Sequence, residues 1–148
     1  MFICHGNICR SPMAEFVLKD LVHKIGKERE FFIASSATSS EEIWGGVGNP
    51  IYPPAQRELR RHNIPFTDHR ATKLLPSDYE KYDMFICMDS ANMHNAKRIL
   101  LGDPQNKLEK LLGLKDISDP WYSGDFTTTF TEIEQGCKEL LQRILKNG

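Results

Sequence analysis

The chain has 148 residues, of which 40% are hydrophobic and 26% are charged, and this composition excludes an intrinsically disordered protein. Nineteen basic residues nearly balance twenty acidic ones, so the net charge gives no general attraction for nucleic acid, and we expect no nucleic-acid partner. The length is typical of one domain, and we predict a single domain over residues 1–148.

Signals for a membrane, a disulfide framework or a metal are missing from the sequence. No run approaches the ~20 apolar residues of a membrane span, and the start lacks the features of a signal peptide, so we predict a cytoplasmic protein with no membrane partner. The four scattered cysteines are interpreted as free thiols, with Cys87 and Cys137 in the core. Cys4 and Cys9 have no second Cys or His pair at zinc-ligand spacing, so we expect no metal and no cofactor.

Hydrophobic patterns predict strands that alternate with helices along the chain. In order, they are a strand at 1–3, a helix from Pro12 that stops at Gly26, a strand at 31–34, a helix at 55–62, a strand at 84–88, a helix from 89 or 90 to about 101, a strand at 108–112 and a helix at 127–146. The polar and Gly/Pro-rich stretch 35–54 is predicted to be a long loop beside the site. Such alternation predicts an α/β fold, in which helices cover both faces of a parallel sheet and ligands bind beyond the carboxyl ends of the strands.

The segment from Cys4 to Ser11 leaves the first strand, enters the first helix and has the features of an anion-binding loop. Backbone N–H groups and the positive helix end converge there, which favours a phosphate-like dianion. Gly6 and Asn7 suit the positive φ that such a loop needs. The same field favours the thiolate of Cys4, and the planar guanidinium of Arg10 can bind two phosphate oxygens. An isolated cysteine and arginine at this spacing would be interpreted as a buried cysteine and a solvated arginine. The surrounding pattern instead favours Cys4 as a nucleophile and Arg10 as a phosphate ligand.

If Cys4 attacks a bound phosphate ester, it forms a phosphocysteine and expels a leaving group. This reaction also needs an acid that donates a proton to the leaving group. Asp119 is the candidate because it precedes Pro120 in a loop, where a carboxylic acid can reach over the bound phosphate. An Asp-Pro pair taken alone usually marks only a turn.

The stretch His5-Gly6-Asn7-Ile8, set between Cys4 and Arg10-Ser11-Pro12, resembles the signature of low-molecular-weight protein tyrosine phosphatases. Nearly the whole chain shares this resemblance, through the segments 35–39, 48–50, 69–71, 87–89 and 119–122. It implies a four-stranded parallel sheet of the flavodoxin-like type. It also implies an enzyme that hydrolyses phosphotyrosine in proteins and releases inorganic phosphate, with Cys4 as nucleophile, Arg10 as phosphate ligand and Asp119 as general acid and base.

The resemblance further implies that Asn7 is a strained residue held by Ser11, Ser35 and His69, and that Ser11 assists the thiolate. Ser35 and His69 could equally be ordinary loop residues bonded to the local backbone. The remaining loop residues would contact the substrate: His5, Gly6, Ile8 and Cys9.

Aromatic side chains are expected to form a slot for the phenyl ring of the substrate. The candidates are Trp44, Trp121 and Tyr122, although the family usually has tyrosine where Trp121 stands. The stretch from Glu41 to Gly46 is longer than the familiar pattern, so a core position for Trp44 stays open.

Three further questions stay open at this stage. The resemblance implies a reversible Cys4–Cys9 disulfide under oxidation, but Cys9 could also simply pack and stay reduced. Asp89 could support the loop or cap the following helix. Only three residues precede Cys4, where relatives have a fuller strand, so we expect that the first strand could be truncated.

Other functions on the same scaffold are an arsenate reductase, a protein-arginine phosphatase and a non-catalytic phosphate-binding module. Relay cysteines for arsenate reduction are not evident, because Cys87 is solitary in its region. Arginine-specific relatives have threonine where Ile8 stands, so Ile8 favours phosphotyrosine. The presence of both Cys4 and Asp119 disfavours a module without turnover.

Overall fold

The structure is a computed structural model that describes residues 1–147. Its elements in chain order are β1 (Phe2–Cys4), α1 (Arg10–Lys24), β2 (Ser35–Ala37), β3 (Ile43–Trp44), β4 (Val47–Gly48), α2 (Pro53–Arg61), β5 (Phe85–Cys87), α3 (Ser90–Ile99), β6 (Leu108–Lys110), α4 (Pro120–Ser123) and α5 (Phe126–Asn147). Strands β2, β1, β5 and β6 form a parallel sheet in that order, and β3 pairs with β4 in an antiparallel hairpin.

The sheet separates two apolar layers because successive side chains of a strand point to opposite faces. Phe2, Cys4 and Ile86 pack into the core that also contains side chains of α1, α2 and α5. Ile3 and Phe85 point the other way, into a core shared with α3. The predicted three-layer α/β fold with a four-stranded parallel sheet is confirmed.

The second strand was predicted at 31–34, and this prediction is wrong. Strand β2 is Ser35–Ala37, which pairs in parallel register with Phe2–Cys4. The apolar pattern at 31–34 is misleading, because Phe32 is 80% exposed and its neighbours pack on the edge of the core instead of in the sheet. Ser35 is tolerated in a buried strand because its hydroxyl donates a 2.6 Å hydrogen bond to the carboxylate of Glu15.

The stretch 35–54, predicted to be one long loop, contains β2 and the β3–β4 hairpin. Gly45 and Gly46 form the hairpin turn with φ values of 56° and 81°, which glycine adopts without steric cost. At its base, Gly48 lies so close to Ala71 that an added Cβ would be 2.0 Å from the Ala71 carbonyl oxygen. The base of the hairpin therefore packs directly against the backbone of the 70–72 segment.

Helix positions agree with the sequence patterns to within a few residues. Helix α1 begins at Arg10, two residues before the predicted start, so Arg10 lies in its first turn. Helix α2 begins at Pro53, because proline fits the first turn of a helix. None of the helices within residues 1–147 is long and apolar enough to cross a membrane.

Candidate active site

The loop between β1 and α1 forms the floor of a cavity of about 200 Å³. The Sγ atom of Cys4 accepts a hydrogen bond from the backbone N–H of Asn7 at 3.2 Å and lies 2.9 Å from the Oγ atom of Ser11. Helix α1 starts immediately behind the loop, and its N-cap residue Cys9 makes no side-chain capping bond. The positive end of a 15-residue helix therefore faces the cavity.

Asn7 shapes the loop from inside and is completely buried. Its backbone has a φ of 60°, and its Nδ2 atom donates to the hydroxyls of Ser11 and Ser35 at 2.8 and 2.9 Å. Its Oδ1 atom accepts from the backbone N–H of Thr72 at 3.0 Å and lies 3.1 Å from Nε2 of His69. The structure thus brings together Asn7 and all three side chains that the resemblance implied as its supports.

Gly6 does not have the positive φ that the sequence suggested, and only Asn7 of the pair adopts it. Gly6 matters for a different reason, because a Cβ atom added to it would lie 3.3 Å from the Cγ atom of Glu42. A larger residue here would crowd the Glu42 side chain, which lies close to the loop.

Arg10 is 4% exposed and lies against the floor of the cavity. Its Nη1 atom donates to Asp89 Oδ2 at 2.9 Å and to the Ile117 carbonyl at 3.1 Å. Burial alone lowers the pKa of Arg10, but the charges of Cys4 and Asp119 and the hydrogen bond with Asp89 outweigh it and raise this pKa. Arg10 is therefore a permanent cation beside the sulfur.

Asp89 performs both functions that the sequence left open. Its Oδ2 atom holds Arg10, while its Oδ1 atom accepts the backbone N–H of Asn92 at 2.7 Å as the N-cap of α3. The end of β5 is thereby connected to the guanidinium in the cavity floor.

Asp119 lies at the N-cap of α4 and lines the cavity. One carboxylate oxygen accepts the backbone N–H of Trp121 at 3.0 Å, and the other lies 3.5 Å from Nη2 of Arg10. Trp121 and Tyr122 follow on α4 and line the same cavity, and the Trp121 ring packs 5.2 Å from the Tyr52 ring. The carboxyl group therefore lies in the cavity beside the Arg10 guanidinium, and two aromatic side chains follow it in the lining.

Trp44 is the candidate wall residue that the structure does not bring to the cavity. It lies on β3 with 75% of its surface exposed, and it is absent from the residues that line the cavity. Glu41 and Glu42, from the segment just before it, line the cavity instead. The sequence placed this segment at the site but gave no indication of which side chains would point inward.

Glu15 is another residue that the sequence interpretation missed. It is buried, accepts the hydroxyl of Ser35 at 2.6 Å and lies 3.7 Å from Nδ1 of His69. Burial lowers the pKa of His69, against the opposing effect of the Glu15 carboxylate. Glu15 follows Ser11 by one helical turn and shares its face of α1, but this spacing alone does not distinguish it from a solvated glutamate.

The four cysteines are free thiols. Burial, together with the negative charges of Cys4 and Asp119, raises the pKa of Cys9, and burial raises the pKa of Cys87 to about 12 and that of Cys137 as well. Within residues 1–147, no group of three or more His, Cys, Asp or Glu side chains is arranged to hold a metal ion.

Comparison with known proteins agrees with this geometry. The family model described as low molecular weight phosphotyrosine protein phosphatase matches residues 1–148. The low molecular weight protein-tyrosine-phosphatase YfkJ of Bacillus subtilis is 34% identical, over 99% of this chain and 95% of that protein, and the low molecular weight phosphotyrosine protein phosphatase of Homo sapiens is 34% identical, over 97% and 93%.

Solved structures give the same result. The crystal structure of YfkJ superposes with a TM-score of 0.92 at 33% identity, covering 99% of this chain and 93% of that one. The low molecular weight protein tyrosine phosphatase SP-PTP from Streptococcus pyogenes superposes with a TM-score of 0.84 at 35% identity, covering 96% and 89%. The chain therefore belongs to the low molecular weight phosphotyrosine protein phosphatase family and is an enzyme of that family.

Proposed function

We propose that the protein hydrolyses phosphotyrosine in proteins through a phosphocysteine formed on Cys4. The observation that supports this most directly is the placement of Cys4 Sγ on the floor of the cavity, beside the Asn7 N–H, the start of α1 and the Arg10 guanidinium. These groups stabilise a thiolate and also attract the phosphate dianion that the thiolate attacks.

In the first step, the Cys4 thiolate attacks phosphorus, and the bond between phosphorus and the phenolic oxygen breaks. Asp119 donates its proton to that oxygen, so tyrosine leaves as a neutral phenol. Charge on the transferring phosphoryl group is stabilised by Arg10 and by the loop amides, which are already oriented before the reaction.

In the second step, a water molecule attacks phosphocysteine, and the Asp119 carboxylate takes its proton. The sulfur–phosphorus bond breaks, inorganic phosphate leaves, and the thiolate of Cys4 is regenerated. Ser11, 2.9 Å from the sulfur, stabilises the thiolate as leaving group.

The proposed substrate is a phosphotyrosine side chain in a protein or peptide, held by aromatic surfaces. Trp121 and Tyr122 line the cavity and would flank its phenyl ring, and Trp44 would contact the rest of the substrate from the hairpin. We place this activity in the cytoplasm, where reducing conditions keep Cys4 a free thiol, and assign it to one domain over residues 1–148.

Hydrolysis of para-nitrophenyl phosphate and of a phosphotyrosyl peptide tests the proposal. We expect Cys4→Ser to lose turnover, and Asp119→Ala to lose about 10²- to 10⁴-fold in kcat, as removal of a general acid does. Asp68→Ala, an exposed aspartate that contacts Arg70, is the matched control and should be unaffected.

Mass spectrometry of quenched Cys4-containing peptides should detect phosphocysteine. Full turnover by Cys4→Ser would disprove the covalent mechanism. Faster hydrolysis of a phosphoarginyl peptide at equal concentration would disprove the substrate assignment.

A further inference from the structure

The outer part of the cavity carries charges that the proposed reaction does not use. Five ionisable side chains other than the cysteines and Tyr122 line it: His5, Arg10, Glu41, Glu42 and Asp119. Arg10 is buried in the floor and already bonded to Asp89, so its charge is directed at the phosphate position. Asp119 is the general acid and base of the proposed reaction, so the charges that the reaction leaves unused are those of His5, Glu41 and Glu42, at the rim of the cavity.

Glu42 is held against the phosphate loop. Its Cγ atom would be 3.3 Å from a Cβ on Gly6, and its Oε2 atom accepts a 2.9 Å hydrogen bond from Asn49 Nδ2. The carboxylate therefore has a defined position beside the phosphate loop, instead of moving freely in solvent.

Glu41 lies next to it and is more exposed. One of its oxygens is 3.1 Å from Nε2 of His5, the residue that directly follows the nucleophile. The lining of the cavity, within the described residues 1–147, contains no lysine and no arginine apart from Arg10. His5 can offset at most one of the carboxylates, so the rim is negative while the floor is positive.

The loop around Cys4 sets the position of the ligand, because a phosphate at this loop is bound by the floor of the cavity. The residues before and after a bound phosphotyrosine must then pass the rim, where fixed carboxylates attract cations and repel anions. These interactions affect the residues that flank phosphotyrosine and do not involve the phosphoryl group that is transferred.

We propose that Glu41 and Glu42 are specificity-determining residues that select phosphotyrosine flanked by basic residues and disfavour acidic flanks. The inference rests on the proposed phosphotyrosine hydrolysis and names the class of phosphopeptide that this site takes. Both carboxylates contribute at the surface, so the discrimination is moderate and depends on salt concentration.

The inference is tested with three phosphotyrosyl peptides that are identical except for the residues on both sides of phosphotyrosine. These flanking residues are lysine in the first peptide, alanine in the second and glutamate in the third. At low ionic strength we expect kcat/KM for the lysine peptide to exceed that for the glutamate peptide by about fivefold, the effect of two partly exposed charge interactions. This ratio should decrease as salt is added, because salt screens exposed charges.

The double variant with Glu41→Gln and Glu42→Gln removes both charges, keeps the size of both side chains and leaves residue 42 an oxygen that can accept the hydrogen bond from Asn49. Its lysine-to-glutamate ratio should approach one, while the control Glu139→Gln, an exposed residue of α5 outside the cavity lining, should keep the wild-type ratio. A wild-type ratio near one, or an unchanged ratio in the double variant, would overturn the inference. Failure of the wild type to hydrolyse para-nitrophenyl phosphate, which has no flanking residues, would instead refute the proposed function.

Discussion

The four cysteines show how strongly the surroundings of one residue type determine its chemistry. Cys4 has an amide donor, a hydroxyl and an arginine nearby and opens to a cavity. Cys9 is its neighbour in the same loop, but its thiol packs with Ile8 and Ala71. Burial raises the pKa of Cys9, Cys87 and Cys137, so these three remain neutral thiols at physiological pH.

Alkylation should therefore distinguish Cys4 from the other cysteines. We expect iodoacetamide to modify Cys4 first in the folded protein at pH 7 to 8, and inorganic phosphate to protect it. A thiol with the pKa of about 12 of Cys87 is ionised to only about one part in 10⁴ at pH 8, so it should stay unmodified.

Peptide mapping by mass spectrometry measures the modified site and its rate. In the unfolded protein all four cysteines should react at similar rates, which controls for reagent and detection. Modification of Cys9 or Cys87 in the folded protein as fast as Cys4 would contradict the assignment of Cys4 as the reactive thiol.

Sequence patterns identified the residues with a distinctive local context and missed those that act only through space. Cys4 and Arg10 lie in one short loop whose neighbours all favour the same geometry. Glu15 and Glu42 have no such context, because their contacts with Ser35 and Gly6 exist only after the chain has folded. Charged residues at such positions are usually solvated, so their burial or orientation cannot be inferred from spacing alone.

At the level of elements, the least predictable part is the chain between β1 and α2. An apolar run at 31–34 has the composition of a strand, but parallel pairing with β1 selects 35–37, where serine hydroxyls find partners. The two-residue strands of the hairpin are too short to show alternation in the sequence. Strand β5 was predictable because a continuous apolar run in the centre of a parallel sheet is distinctive.

Gly48 tests whether the hairpin depends on close backbone approach. Gly48→Ala would bring its Cβ within 2.0 Å of the Ala71 carbonyl oxygen, so the hairpin must move, and we expect a loss of about 1–3 kcal/mol in the free energy of unfolding. Gly45→Ala is the comparison, because a Cβ at Gly45 would enter open space and only the backbone, with a φ of 56°, would be strained. We expect this strain to lower the free energy of unfolding by about 1–2 kcal/mol.

Urea unfolding of both variants measures the two free energies, and kcat/KM on a phosphotyrosyl peptide reports the position of the hairpin. Gly48→Ala should lower kcat/KM, because the hairpin base holds Glu42 through Asn49. Wild-type stability and activity in Gly48→Ala would show that the close contact with Ala71 has no functional consequence.

For the whole molecule, the cavity depends on the carboxyl ends of neighbouring parallel strands. Cys4 ends β1 and Asp89 follows β5, so the carboxyl edge of the sheet gathers residues from distant parts of the chain, and Ser35, at the opposite end of β2, is connected to the loop through Asn7. The general placement was predictable from strands that alternate with helices. The hydrogen bonds that connect these segments were not predictable from the sequence, because they depend on the register between strands.

Binding of phosphate at this junction should stabilise the entire fold. At a concentration 100 times its dissociation constant, a ligand that binds only the folded state adds about 2.7 kcal/mol to the free energy of unfolding, or about 5–10 °C in Tm for a chain of this size. Thermal unfolding in phosphate, against chloride at equal ionic strength, measures this shift. Arg10→Lys should lose most of the shift, because a lysine lacks the planar guanidinium with which an arginine can bind two phosphate oxygens, whereas the exposed Arg98→Lys should keep it. An equal shift in Arg10→Lys and the wild type would show that phosphate binds elsewhere on the molecule, away from the sulfur of Cys4.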